Sequence, residues 1–301
     1  RTSAGALALA LGAATALADY STTLSGLNPA GYWKLNETSG TFVTGTLTNA
    51  STAGAALHGA YYLSPLAQQE SVLGAGNDPA MNFNGLNQFA EIPLNAALNP
   101  SGPFTVEFWA NLTNDTAGAK SGVVSRYVTV AGGPTAQLGY LFFVNNGNSS
   151  WQFRVYNGTG NTTITDSSVD VQANTWYHIV GVYDGANITI YVNGVATSTS
   201  TGTVVYRANT NAPTRLGAGT TETGPSLFFP GLLDNVAIYH SVLPAATIGA
   251  HYEAATTNAA GYNAQILADN PAAYYPLNEP ALPASPVAAN SGSLGSTNDG
   301  S

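Results

Sequence analysis

Between Arg126 and Tyr156 the chain gathers the side chains that can hold a sugar: Arg126, Tyr127, Asn145, Asn146, Asn148, Trp151, Arg154 and Tyr156. A sugar presents an apolar C–H face and a rim of hydroxyls. A shallow groove that binds one needs an aromatic surface for the face and guanidinium or amide groups for the rim. Along Trp151–Tyr156, strand alternation puts Trp151, Phe153 and Val155 on one face and Gln152, Arg154 and Tyr156 on the other. The apolar face belongs in a core. Arg154 and Tyr156 therefore stand with Arg126 and Asn146 as the candidate ligand-binding residues. Amides are abundant throughout the chain, so a loop of this composition also arises with no ligand to serve.

Bond cleavage asks for other groups. A retaining glycoside hydrolase needs two carboxyl groups about 5 Å apart, one as nucleophile and one as acid. Glu107 sits in the alternating run Phe104–Trp109, where Thr105 and Trp109 flank it on the same face, so its own strand gives it no partner. Carboxylates drawn from separate strands stay open. The four histidines, His58, His178, His240 and His251, lie in no nucleophile motif, and G-x-S-x-G is absent. His178 shares a strand face with Trp176 and Val180 and reads as a buried structural histidine. Trp109 and Trp176 read as sheet-packing residues before they read as sugar platforms. The expectation is a non-catalytic protein.

The composition narrows the partners. Only 8% of the 301 residues are charged and 44% are hydrophobic, so a core can form and solubility rests on hydroxyls and amides. Seven basic against sixteen acidic residues give a net charge of −9, with no basic cluster, which argues against nucleic acid. Cysteine is absent, excluding disulfides and thiolate metal sites. The first eighteen residues form an apolar run ending Ala16-Leu17-Ala18, the pattern of a secretory signal with its cleavage site. A membrane anchor is the alternative, although the run is slightly short of the ~20 residues a span needs. A secreted or cell-surface chain with no membrane span after cleavage is expected.

The elements that must position these residues are mostly strands. Trp176–Tyr183, an Asp184-Gly185 turn, Ile188–Val192, an Asn193-Gly194 turn and Val195–Thr197 predict a three-stranded antiparallel meander, because both dipeptides favour the φ > 0 geometry of tight hairpins. A short helix is expected after Leu243, with Ile248 and Tyr252 on one face. Many short strands and one or two short helices predict an all-β, two-sheet antiparallel jelly-roll sandwich.

The chain also repeats itself. Tyr20–Glu37 (YSTTLSGLNPAGYWKLNE) aligns without a gap on Tyr262–Glu279 (YNAQILADNPAAYYPLNE), and eight of the eighteen positions are identical. A helix is expected before each Asn-Pro, where Leu24 and Ile266 match. The organisation read from this is a signal at 1–18, one domain over 19–255, a linker at 256–261 and the start of a second copy at 262–301, loosely held or docked on the first domain.

In order along the chain, GYWKLNETSG (31–40), AMNFNGLNQFAEIP (80–93), FTVEFWANL (104–112), NTWYHIVGVYDGANITIYVNGV (174–195) and FPGLLDNVAIYHSVLPAATIGAHYEA (229–254) resemble the landmarks of laminin-G-like domains in the concanavalin A-like superfamily. The resemblance implies two curved antiparallel sheets and a non-catalytic module that binds glycans or surface and matrix proteins. It equally allows an inert spacer repeat, or an accessory domain of a secreted glycoside hydrolase. The E-x-D-x-E triplet of the superfamily's glucanases is missing. Many relatives carry calcium. Glu37 and Asp234, the two acids inside family landmarks, would meet if first and last strands pair. They are the candidate metal ligands, or they tie the ends together through backbone N–H groups without metal.

Overall fold

Runs of Val, Ile, Tyr and Phe broken by Gly and Asn become short strands, because branched and aromatic side chains pack on a pleated surface while the breakers turn the chain. The computed structural model describes residues 46–73, 79–113, 118–129, 136–147, 149–160, 162–221, 224–257 and 259–278. The first strands are β1 (Thr46–Leu47), β2 (Gly59–Tyr62), β3 (Leu66–Gln69), β4 (Ala80–Asn84), β5 (Phe89–Ile92) and β6 (Phe104–Leu112). Next come β7 (Lys120–Val128), β8 (Gln137–Val144), β9 (Ser150–Tyr156), β10 (Thr162–Asp170), β11 (Trp176–Tyr183), β12 (Ile188–Val192) and β13 (Val195–Ser200). The short β14 (Thr214–Leu216), β15 (Gly219–Thr221) and β16 (Gly224–Ser226) lead to the long β17 (Pro230–Tyr239). Helices α1 (Ala245–Thr257) and α2 (Ala259–Ala268) precede the last described strand, β18 (Ala273–Tyr275).

Two antiparallel sheets result. One runs β1-β2-β5-β14-β7-β8-β9-β10; the other runs β13-β12-β11-β6-β17-β4-β3, with β18 joined to β17. Their inner faces meet in an aromatic core, where Phe108 of β6 meets Phe142 and Trp151 of the opposite sheet edge-on, at 5.3 and 5.4 Å between ring centroids. Gly181 on β11 makes room for this packing. A Cβ there would stand 2.4 Å from Phe142 and 2.9 Å from Phe153, whose rings stack on each other at 4.6 Å. The expected meander is present as β11-β12-β13, turned at Asn193-Gly194, where both residues have positive φ. Asp184 closes the other turn by accepting the Ala186 and Asn187 N–H groups at 2.8 and 2.6 Å.

The outer face of the second sheet is roofed by α1 and α2, with Trp109, Val180, Tyr239, Ile248, Tyr262 and Ile266 in a separate apolar cluster. Ile248 is buried and Tyr252 packs against the same cluster, the shared face expected of α1. The stretch 256–261, expected as a linker, instead spans the end of α1 and the start of α2. From Tyr262 to Asn278 the chain lies in the same body as the sandwich. The physical reason is the apolar load of this segment: Tyr262, Ile266, Tyr274, Tyr275 and Leu277 are all buried, and each needs a cover that the sheet supplies.

β18 is held from both sides. Val236–Ile238 of β17 pair with Tyr275–Ala273 on one edge, continuing the edge along which Pro230–Leu233 pair with β4. On the other edge Ala50 N–H donates to Tyr274 O at 2.8 Å, and Tyr274 N–H donates to Asn49 Oδ1 at 3.0 Å. The matching first copy, Tyr20–Glu37, and the signal-like run 1–18 lie outside the described residues.

Candidate functional site

On the outer face of the eight-stranded sheet, β7, β8 and β9 line a pocket of about 240 Å³. Alternation decides what enters it. β8 sends Tyr140 and Phe142 inward to the core, which leaves Gln137, Leu141 and Phe143 outside. β9 buries Trp151, Phe153 and Val155 and presents Arg154 and Tyr156, the division expected from its sequence. β7 adds Ser121 and Arg126, while Thr162 and Leu227 close the rim. Thus three of the four sequence-chosen ligand residues meet in one cavity.

Their geometry is tightly set. The Arg154 guanidinium lies over the Phe143 ring, 4.1 Å from its centroid, and Arg126 lies 4.9 Å from the centroid of Tyr156. Arg126 Nη2 donates to Gln137 Oε1 at 2.7 Å. Arg154 donates through Nε and Nη2 to Gln152 Oε1 at 3.0 and 2.6 Å, and Gln152 Nε2 donates to Asp166 Oδ2 at 2.5 Å. Asp166 is fixed in turn by the Ser150 hydroxyl at 2.5 Å and the Ser168 N–H at 2.8 Å. Burial lowers the Arg154 pKa from its usual value, yet a guanidinium stays charged in proteins. Burial raises the Tyr156 phenol, partly offset by the two arginines, so it enters the site as a neutral donor.

Asn146 is not part of the pocket. It is exposed in the β8–β9 turn, where its Oδ1 accepts the Gly118 N–H at 2.5 Å. A turn amide is claimed by nearby backbone, and alternation along a strand says nothing about a residue beyond its end. Asn148 lies outside the described residues. Gln137 and Phe143 complete the pocket but were missed in the sequence, because their place depends on the pairing of β8 with β7 and β9. A second, more open cleft of about 500 Å³ is lined by Glu70, Asn111, Asn174 and the half-buried Trp176, among others.

Glu107 occupies a different environment, fully buried under α1 and α2. Its Oε2 is 2.9 Å from His251 Nδ1, and His251 Nε2 is 2.8 Å from Asp269 Oδ2. His178 Nε2 stands 4.0 Å from the other Glu107 oxygen, beyond hydrogen-bond length. Burial works to raise the Glu107 carboxyl, but the two imidazoles outweigh it and hold its pKa at about 2. For His251, burial acts downward and the two carboxylates win, raising it. His178 is buried and stacked on Trp109 at 4.9 Å, as a structural histidine. With histidine between its carboxylates and no opening to solvent at Glu107, this cluster ties the helices to the sheet.

Asp234 is buried on β17, opposite Trp109, at the register irregularity before Ala237. Its proposed metal partner, Glu37, lies outside the described residues. Calcium takes six to eight oxygens. Among the described residues no three Asp, Glu or His side chains converge to hold a metal, so these residues alone do not fit a calcium site.

Comparison with known proteins places the fold. No curated protein matches the chain. Among solved structures it is similar to domain 4 of AbnA, a GH43 extracellular arabinanase from Geobacillus stearothermophilus determined with arabinotriose, at 17% identity over 69% of this chain and 98% of that one, TM-score 0.45. It is similar to the binding domain of Paraclostridial Mosquitocidal Protein 1 at 15% identity over 69% and 52%, TM-score 0.49. It is also similar to the heptameric SAP-like pentraxin of Limulus polyphemus at 13% identity over 63% and 85%, TM-score 0.41. Residues 67–249, well over half of the chain, match the laminin-G family model described as the concanavalin A-like lectin/glucanases superfamily. With two packed antiparallel sheets in the same span, the chain belongs to that superfamily.

Proposed function

We propose that this domain is a non-catalytic carbohydrate-binding module of a secreted or cell-surface protein, with its ligand in the Arg126/Arg154/Tyr156 pocket. One observation carries the reading. A chain with only seven basic residues brings two of them together in one cavity, each laid against an aromatic ring. The buried rings hold the guanidiniums in place, so the charged donors are pre-set at little ordering cost on binding. Two fixed positive charges favour a sugar that bears a carboxylate. Membership of a superfamily that includes lectins supports the assignment. Among the described residues no helix is long and apolar enough to cross a membrane.

A glycan array of neutral and carboxylated oligosaccharides, followed by calorimetric titration of the hits, tests the proposal. Binding to carboxylated members is expected, weakened about tenfold or more by Arg154→Ala in a chain that a thermal melt shows to be still folded at the titration temperature, as for loss of a charge-assisted hydrogen bond. Silence across the array would overturn it and leave the domain as a spacer between other parts of a surface protein.

A further inference from the structure

The slot that receives β18 is built for a sequence the chain contains twice. In the second copy the positions that enter the slot are Tyr262, Asn270, Pro271, Tyr274, Tyr275 and Leu277. All are identical in the first copy, as Tyr20, Asn28, Pro29, Tyr32 and Leu35, except Tyr275, which is Trp33. Five of the six have a visible physical task. The Tyr262 hydroxyl accepts the Trp109 indole N–H at 2.8 Å. Asn270 takes positive φ as α2 ends, which asparagine tolerates best after glycine. Tyr274 is buried with its hydroxyl on Asn235 and Asn263, and Leu277 is buried at the end of the strand. The Tyr275 hydroxyl donates to Leu57 O at 2.7 Å, a bond that the indole N–H of a tryptophan can also supply. The exposed Leu267 is Ser25 in the first copy, while the buried Ile266 and Ala273 are matched by the apolar or small Leu24 and Gly31.

One slot and two sequences that fit it cannot both be satisfied within a single occupancy. We propose that the edge of β17 at Val236–Ile238 is a strand-exchange site whose second occupant is the Tyr20–Glu37 segment of another copy of this chain. Filling it adds a strand to an otherwise open sheet edge, with main-chain bonds for affinity and the Tyr274 and Leu277 pockets for selectivity. Each copy carries one segment and one slot, so exchange either closes reciprocally into a dimer or runs head-to-tail into longer assemblies. Two polar differences rank the two occupants. Asn263, which accepts the Tyr274 hydroxyl, is matched by Ser21. Asp269, which contacts His251 at 2.8 Å, is matched by Leu27, so the second copy holds the slot more firmly and exchange is the minor state.

The chain lacks cysteine, so introduced pairs report occupancy without background. Ile238 faces Ala273 across the ladder, and Gly31 is the residue that matches Ala273. Partners across an antiparallel pair stand about 4.5–5.5 Å apart at Cα, within disulfide reach. The full chain carrying Gly31→Cys and Ile238→Cys is oxidised over a range of concentrations and run on a non-reducing gel. Dimers and longer ladders that grow with concentration are expected, increased about threefold or more by Asp269→Leu as the competing internal strand weakens. Adding Tyr32→Ser and Leu35→Ser should abolish them. The pair Ala273→Cys with Ile238→Cys must give an intrachain link, which shows that the slot survives substitution at Ile238. With that control formed, three results overturn the proposal: no 31–238 link, a 31–238 link confined to monomers, or a ladder indifferent to Tyr32 and Leu35.

Discussion

Arg154 shows how much one side chain's surroundings decide. Its guanidinium plane lies on Phe143 while its edge is bound to Gln152, so stacking and direction are fixed together. Lysine would restore the charge but neither the stack nor the planar fork. Arg154→Lys should therefore lose most of the ligand affinity that Arg154→Ala loses, measured by the same titration. Glu107 and His251 give a prediction in pH. Glu107 is held below its usual 4.5, so its contribution is full above that value and is lost as the pH falls toward about 2. His251 is raised above its usual 6.5, so its contribution is present below that value and is lost as the pH rises through its folded pKa. His178, Tyr239 and Asp269 complete the cluster's charged and titratable neighbours. Thermal melts should peak between about 4.5 and 6.5, and His251→Gln should flatten the alkaline side. At this scale Arg154 and Tyr156 could be read from alternation alone. The approach of Arg126 to Tyr156, and of His251 to Glu107, could not, because each joins elements far apart in the chain.

Elements whose signal is local were the legible ones. Asp184-Gly185 and Asn193-Gly194 mark the β11-β12-β13 meander, since positive φ at the turn is a property of the turn residues themselves. Ile248 and Tyr252 mark α1 by their spacing. α2 was expected from Ile266, yet the 256–261 stretch before it looked like a linker because Ala, Thr and Asn carry little periodic signal. The insertion of β18 beside β17 was hidden for another reason: strand partners are chosen by what edge is open, not by sequence neighbours. Within the meander, Gly181 is the sharpest point of packing. Gly181→Ala should cost about 1–3 kcal/mol in denaturant unfolding, because the Phe142 and Phe153 rings have nowhere to retreat.

The described residues between 46 and 278 lie within one compact unit, so the described C-terminal segment belongs to the body of the domain. Protease should therefore cut slowly near Ala255–Ala260 in the native chain. Tyr274→Ser, which removes a buried ring from the β18 slot, should make the same region the first site of cleavage, visible by mass spectrometry of early fragments. The jelly-roll class was legible as a whole from many short strands and almost no helix, whereas the roof of two helices over Trp109 was only half foreseen. That roof has an optical consequence. The Trp109 indole touches α2 directly through Tyr262 and packs against His178 and Tyr252, while Trp151 sits in the other core. When α2 lifts, Trp109 is wetted while Trp151 stays dry, and the red shift of the emission gives the protein an intrinsic, label-free gauge of whether its C-terminal segment is seated.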